Sequence, residues 1–389
     1  MKNVFSFFFS FLFLLFSCHT EKKKEAAAPS VLSFNLTKDP LPNDINAFLA
    51  KLDIRLIPLA TTEDAYFNGN ESNLFVGKEY LFVTDYSQDM LLLYDKQGKL
   101  INKIDRKGEG PEEYIRLGGV CISEDKIYIL DFTKIQLYDF EGDYLKSIPL
   151  KNGGRQLAVL PDRSIAVTGR SQDNYQVTHY NEDGTVRSEY FPRKPDMAGF
   201  PLSRATIHSV KSYEDGVYFT NYFDNSIYFL KDTVRIFATC DFGPFNIPSD
   251  LFSGTTEEKV KRFDEARPKA VMGINHLTVT DRWIIFVPEI LFNPLTVYYD
   301  RIHHTYLTNK GFPEPYATLL GKQYAPDNYN AAGDLFYRLV NSQDLKDMIE
   351  QLTESDPDYK NKYPFLQSID PRQINENTND MVFLMKIKE

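Results

Sequence analysis

Four carboxylates recur at the ends of short apolar runs: Asp85, Asp131, Asp224 and Glu289. Brought together at one end of a channel, they could hold a divalent cation for metal-assisted hydrolysis or elimination. Acidic residues in such turns more often accept hydrogen bonds from their own backbone, which needs no ligand. Aromatic residues sit beside them, Tyr86, Phe132 and Tyr222 together with Phe223, and offer stacking surface. Arg106-Lys107-Gly108-Glu109-Gly110-Pro111-Glu112-Glu113-Tyr114 is the other candidate segment. Its glycines permit turns closed to other residues, and Pro111 stiffens the exit. No Gly-Lys-Ser/Thr follows, and its three glutamates repel phosphate, so it is no phosphate loop. The histidines His19, His179, His208, His276, His303 and His304 show no ligand spacing, and on a strand His303 and His304 would point to opposite faces. Neither an Asp-x-Asp-x-Asp-Gly calcium loop nor a Gly-x-Ser-x-Gly elbow occurs. No metal and no cofactor are expected on these grounds.

Cys18 carries a different chemistry. Lys2 supplies a positive start, Val4 to Phe16 is an apolar run too short to span a bilayer permanently, and Leu15-Phe16-Ser17-Cys18 closes it. The tetrapeptide resembles a lipobox, with a branched apolar residue, a small residue and the cysteine whose thiol takes a diacylglyceryl group. Residues 1–17 are expected to be a lipoprotein signal peptide, and 18–48 a lipidated cysteine with a flexible tether, Glu21-Lys-Lys-Lys-Glu25 and Ala26-Ala-Ala-Pro29 having nothing to pack. Cys121 and Cys240 remain, each in or beside a strand-like apolar run; an oxidising compartment would permit a disulfide, but the repeat places them on different blades.

The elements that must position these residues repeat along the chain. An acidic or Gly turn, a short aromatic and β-branched strand, a polar turn, a second strand often ending in Tyr-Asp and a Gly hairpin recur from Glu79, Asp125, Asp162, Asp215 and Asp281. Asp85, Asp131, Thr168, Asn221 and Val287 then stand as equivalents, at steps of 46, 37, 53 and 66 residues. The last step is stretched by Ser249 to Pro268, where Thr255-Thr-Glu-Glu258 predicts a capped amphipathic helix. A second helix is expected over Ser342 to Leu352, capped by Ser342, with Leu345, Met348, Ile349 and Leu352 on one face. Five repeats are visible. The sixth must be assembled from Leu335 to Val340, Met381 to Ile387 and Ile54 to Leu59, so that both chain ends close a ring and remove its open edges. The fold class is therefore all-β, a six-bladed propeller of four-stranded antiparallel blades over 49–389 with short helical insertions. An aromatic share of 14% with 30 Phe and 24 Tyr suits strands, and the net charge of −10 argues against a nucleic-acid partner.

At Phe82-Val-Thr-Asp85, Leu93-Tyr-Asp-Lys-Gln-Gly-Lys99, Gly108 to Tyr114, Ile127-Tyr-Ile-Leu-Asp131 and Asn379 to Lys386 the chain resembles the six-bladed β-propeller lipoproteins of Bacteroidetes, related at fold level to NHL-type propellers. The resemblance implies an outer membrane lipoprotein, facing the periplasm or the cell surface, held to the lipid bilayer through acylated Cys18. In four-stranded blades the turns after second strands and the links between blades share one face. Asp85, Tyr86, Arg106, Glu109, Glu112, Tyr114, Asp131, Phe132, Arg170, Tyr222, Asp224 and Glu289 should line it as a ligand-binding rim. The expected function is a non-enzymatic binding or scaffold module for a peptide, glycan or partner protein, the alternative a metal-assisted hydrolase or lyase at the acidic rim.

Overall fold

A computed structural model describes residues 30–169, 175–192, 209–213, 216–290, 295–321, 330–332 and 335–388. Their strands form six antiparallel blades. The first is Ser72–Val76, Tyr80–Asp85, Met90–Asp95 and Leu100–Ile104, and the second Gly119–Ser123, Lys126–Asp131, Lys134–Tyr138 and Tyr144–Pro149. Leu157–Val159, Ile165–Thr168, Tyr175–Tyr180 and Val186–Pro192 make the third, and Ser209–Tyr213, Gly216–Thr220, Ser226–Leu230 and Val234–Asp241 the fourth. Ile274–Val279, Trp283–Pro288, Val297–Asp300 and Thr305–Thr308 make the fifth. The sixth joins Asn330–Ala332, Leu335–Val340 and Met381–Ile387 to the N-terminal strand Leu52–Pro58, which pairs antiparallel to Met381–Ile387 from Leu52 opposite Ile387 to Pro58 opposite Met381. The first strands of the blades touch in cyclic order, and the sixth returns to the first. That is a closed propeller, fastened by strands from both ends of the chain.

Second strands end at Asp85, Asp131, Thr168, Thr220 and Pro288, within one residue of the equivalents read from the repeat. The pattern works because each meander is buried on both sides: alternating residues face the seams to the two neighbouring blades. Between the first and second blades, for example, Phe82, Leu91 and Leu93 meet Ile127, Ile129 and Tyr138.

Both helices expected from the sequence are present. Thr256–Ala266 starts from a full capping box, Thr255 with Glu258. Ser342–Ser355 buries Leu345, Met348, Ile349 and Leu352, but its cap is Asn341, whose side chain accepts from the N–H groups of Gln343 and Asp344. Ser342 is instead drawn into the core, where its hydroxyl donates to the Asn379 carbonyl at 2.6 Å. His303 and His304 also depart from expectation. They occupy a turn after Val297–Asp300 rather than a strand, and His303 Nδ1 meets Asp300 Oδ2 at 2.9 Å. Cys121 and Cys240 are both buried and unpaired, on the second and fourth blades.

The segment before the propeller is built onto its wall. Ser30–Ser33 adds a fifth strand to the fourth blade, parallel to Val234–Asp241, and Pro42–Leu49 is a helix whose Ile45, Phe48 and Leu49 are buried. The strand, and the helix up to Phe48, fall in residues 18–48, expected from composition to be tether.

Candidate functional site

Asp85 terminates a second strand with its carboxylate fully buried. Oδ1 accepts from Ser87 N at 2.8 Å, Ser87 Oγ at 2.5 Å and Gln88 N at 3.1 Å, while Oδ2 accepts from Asn68 N and Gln88 Nε2, both at 2.8 Å. Burial alone would raise its pKa; these donors outweigh it and hold the carboxyl below the usual range. Its lone pairs are committed to its own turn and to the link from the sixth blade.

Asp131, at the equivalent end of the next blade, is arranged differently. It is 1% exposed, and neither oxygen has a hydrogen-bond partner. Lys134 Nζ stands 3.6 Å from Oδ2 and donates to the Glu113 carbonyl at 3.1 Å. Gln136, two residues on and so on the same strand face, donates through Nε2 to the carbonyls of Glu113 at 2.7 Å and Pro111 at 3.2 Å, and its Oε1 is buried without a partner. Phe132 follows at the tip of the two-residue turn, 44% exposed at a φ of 50°, the left-handed region that bulky residues seldom adopt.

The Arg106 to Tyr114 segment closes on itself beside this turn. Tyr114 N donates to Arg106 O at 3.1 Å and Gly108 N to Tyr114 O at 3.0 Å. Glu113 Oε2 accepts from Gly110 N at 2.8 Å and lies where a Cβ on Gly108 would stand, so that glycine makes room for the carboxylate. Tyr114 is fully buried, its hydroxyl donating to the Asp89 carbonyl at 2.7 Å, and burial pushes its pKa up. Asp89 in turn accepts from Leu117 N at 2.9 Å and pairs with Lys107 at 2.7 Å. The Glu112 carbonyl takes the Tyr138 hydroxyl at 2.7 Å. The segment is thus a latch between two blades. Its outer side leaves Arg106, Glu109 and Glu112 exposed, with Arg106 3.7 Å from Asp143.

Tyr222 and Glu289 meet elsewhere, at the seam of the fourth and fifth blades, and Asp224 lies on the fourth blade nearby in sequence. Tyr222 and Phe223, with ring centroids 4.3 Å apart, pack under Phe252 and the insertion helix at Phe263. Asp224 accepts from Ser226 N at 2.9 Å and from the Tyr228 hydroxyl. Glu289 takes Asn275 Nδ2 at 3.0 Å and the Tyr222 hydroxyl; burial raises its pKa, and those donors offset part of the rise.

The twelve rim residues therefore form no single cluster. Asp85, Tyr86, Arg106, Glu109, Glu112, Tyr114, Asp131 and Phe132 belong to the first and second blades, Tyr222, Asp224 and Glu289 to the opposite side of the ring, and Arg170, like Cys18, falls outside the described residues. No group of three or more His, Cys, Asp or Glu suited to a metal occurs among the described residues. Sequence reading passed over Gln136, whose only outward sign is its place two residues after Lys134 in an apolar strand. It also missed a cleft of about 590 Å³ in the helical layer over the sixth blade, lined by Glu350, Glu354, Asp358, Lys360 and Arg372 among others.

Comparison with known proteins agrees with this architecture. A crystal structure described as a "Putative exported protein" from Bacteroides fragilis is 16% identical and superposes with a TM-score of 0.71, covering 92% of this chain and all of the other. A member of the DUF4221 family from Bacteroides vulgatus, 11% identical, gives a TM-score of 0.49 over 87% of this chain and 99% of its own. The comparison with curated proteins finds no match. A family model matches residues 49–386, nearly the whole propeller, and the chain accordingly belongs to the family described as Domain of unknown function (DUF4934).

Proposed function

We propose that this protein is a lipid-anchored, extracytoplasmic propeller of the NHL-like kind that binds a peptide, glycan or partner protein through the rim of its first and second blades, and does no chemistry there. One observation carries the reading. The rim carboxylates Asp85, Asp224 and Glu289 are satisfied by donors of their own surroundings, whereas Phe132 stands out from the surface in a strained turn, and Arg106, Glu109 and Glu112 are exposed on the latch between the same two blades. An exposed aromatic ring on a rigid scaffold, rimmed by charge, is a recognition surface. The hydrophobic N-terminal run ending in Cys18 and the likeness to an exported Bacteroides protein support the location; the tether between Cys18 and Ser30 would carry the domain from the outer membrane, towards periplasm or cell surface.

The test is a screen of the domain from Pro29 onward on glycan and peptide arrays, repeated with Phe132→Ala. Binding lost in that variant at unchanged melting temperature supports the reading; silence of the folded domain on both arrays counts against it. Asp131 favours a second reading, a metal-assisted hydrolase or lyase, because a buried carboxylate and a buried Gln136 Oε1 without donors are the kind of oxygens a hard cation takes. Metal analysis decides between the two: a stoichiometric divalent ion that disappears in Asp131→Ala would establish the second.

A further inference from the structure

Among the described residues the fourth blade alone has five strands, and the fifth is Ser30–Ser33. Ser30 pairs opposite Ala238 and Ser33 opposite Asp241, and Phe34 N donates to Asp241 O at 2.7 Å. Leu32, Phe34 and Leu36 are buried between the fourth and fifth blades. The Phe34 ring lies 5.6 Å from Phe242, 5.3 Å from Phe286 and 5.1 Å from Tyr306, and the Tyr306 hydroxyl accepts from Asn35 N at 2.6 Å. Three buried apolar side chains make Ser30 a fixed point on the wall of the ring.

We infer that the outer wall of the fourth blade is a membrane-facing surface whose partner is the phospholipid bilayer, so that the propeller stands on edge; this rests on the lipid anchor at Cys18 proposed above. Eleven residues, 19–29, separate Cys18 from Ser30. A chain of that length reaches no further than roughly 40 Å. A domain of this size is about 50 Å across, so the anchor keeps the fourth blade at the lipid surface and the first blade, opposite it in the ring, away from it. The wall suits that contact. On its two outermost strands Val31 is 67% exposed, the highest of the large apolar residues described, and Ile236 40%, and Arg235 lies exposed beside Ile236 with its guanidinium over Phe229. Acyl chains hold best with such a second signal, apolar contact or basic charge. On edge, the loop-bearing face opens sideways, parallel to the bilayer.

The experiment uses the full-length acylated protein in phosphatidylethanolamine and phosphatidylglycerol vesicles that contain nitroxide lipid, with a fluorophore on Ile236→Cys or on Gln97→Cys, which is exposed on the first blade. Cys121 and Cys240 are buried, and burial raises both thiols, that of Cys121 to about 11, so they stay unlabelled. The inference expects quenching at Ile236→Cys at least about twofold above that at Gln97→Cys, as contact with lipid on one side only requires. Equal or reversed quenching overturns it while leaving the anchor intact. Cys18→Ser separates the two ideas: if that variant sediments with vesicles as well as the parent does, or if the parent's mass shows no acyl group at Cys18, the anchor itself is refuted and the orientation with it.

Discussion

The side-chain oxygen of Asn379 accepts a hydrogen bond from the backbone N–H of Phe67 at 3.0 Å, across 312 residues of sequence. Its Nδ2 donates to the carbonyls of Ala65 at 2.8 Å and Ala60 at 3.2 Å and reaches the Tyr94 hydroxyl at 3.4 Å, and its own N–H donates to Thr61 Oγ1 at 3.0 Å. Asn379 precedes the last strand, and residues 60–67 follow Leu52–Pro58, the outermost strand of the sixth blade. One buried amide therefore ties the two chain ends together where the ring closes. Ring closure of this kind protects strand edges only while both ends stay paired.

Asn379→Ala leaves two carbonyls and an N–H buried without partners, each worth about 1 kcal/mol or more, and should cost on the order of 2–4 kcal/mol. Urea denaturation followed by Tyr and Trp fluorescence checks this. A midpoint equal to that of the parent would show that closure does not depend on the clamp.

The neighbouring Asp380 makes stability depend on pH. Burial raises its carboxyl to about 6 and the Asp344 carboxylate pushes in the same direction, only partly offset by the Ser342 N–H at 3.1 Å. A folded pKa above the unfolded value favours the folded state in acid. That contribution is complete below about pH 4 and is lost as pH rises through 6. Asp380→Asn should thus melt higher than the parent at pH 7.5, by up to roughly 3 kcal/mol, and match it at pH 4. Melting curves at both values test the sign.

How far the sequence discloses this molecule depends on what repeats. The second strands were legible because Leu81-Phe-Val-Thr-Asp85 and Ile127-Tyr-Ile-Leu-Asp131 are short, nearly unbroken apolar runs that end alike, and burial on both sides dictates the unbroken run. Closure was legible for a simpler reason: Leu52–Pro58 is an apolar strand with no blade of its own in sequence, and Met381–Ile387 at the other end of the chain lacks an outer neighbour until the two pair. The strand Ser30–Ser33 was not, since four small and aliphatic residues after a charged tether carry no pattern, and of the four only Leu32 is buried. The rim fared likewise. Asp85 and Asp131 occupy equivalent places, yet one is saturated with donors and the other has none, because the loops laid over them differ. Tertiary partners of that sort leave no mark on local sequence.

Asp300 gives the opposite pH signature. Burial would raise it, but His303, the Arg282 guanidinium at 3.0 Å and the Ile302 N–H at 2.9 Å hold it down to about 2. A depressed carboxylate stabilises above its unfolded value near pH 4, and the benefit fades as pH falls through 2. Asp300→Asn should cost on the order of 2 kcal/mol at pH 7 and progressively less in acid. Denaturant midpoints at pH 7 and at pH 3 would show the gap narrowing; a constant gap would place the effect in packing instead.

Asp131 separates the two readings of the rim by the sign of one substitution. A buried carboxylate without hydrogen bonds, helped only by an ammonium 3.6 Å away that also serves the Glu113 carbonyl, is a net burden on the folded state. Asp131→Asn removes the charge, keeps the volume and brings two N–H donors into a seam whose Gln136 Oε1 lacks one. For a binding module without a metal, that variant should gain about 1 kcal/mol, and chelator should change neither protein. Were a hard cation the missing partner, the substitution would destabilise instead, and chelator would lower the parent's melting temperature to that of the variant. Melting curves of both proteins with and without EDTA distinguish the cases, whether or not the ligand of the rim is known.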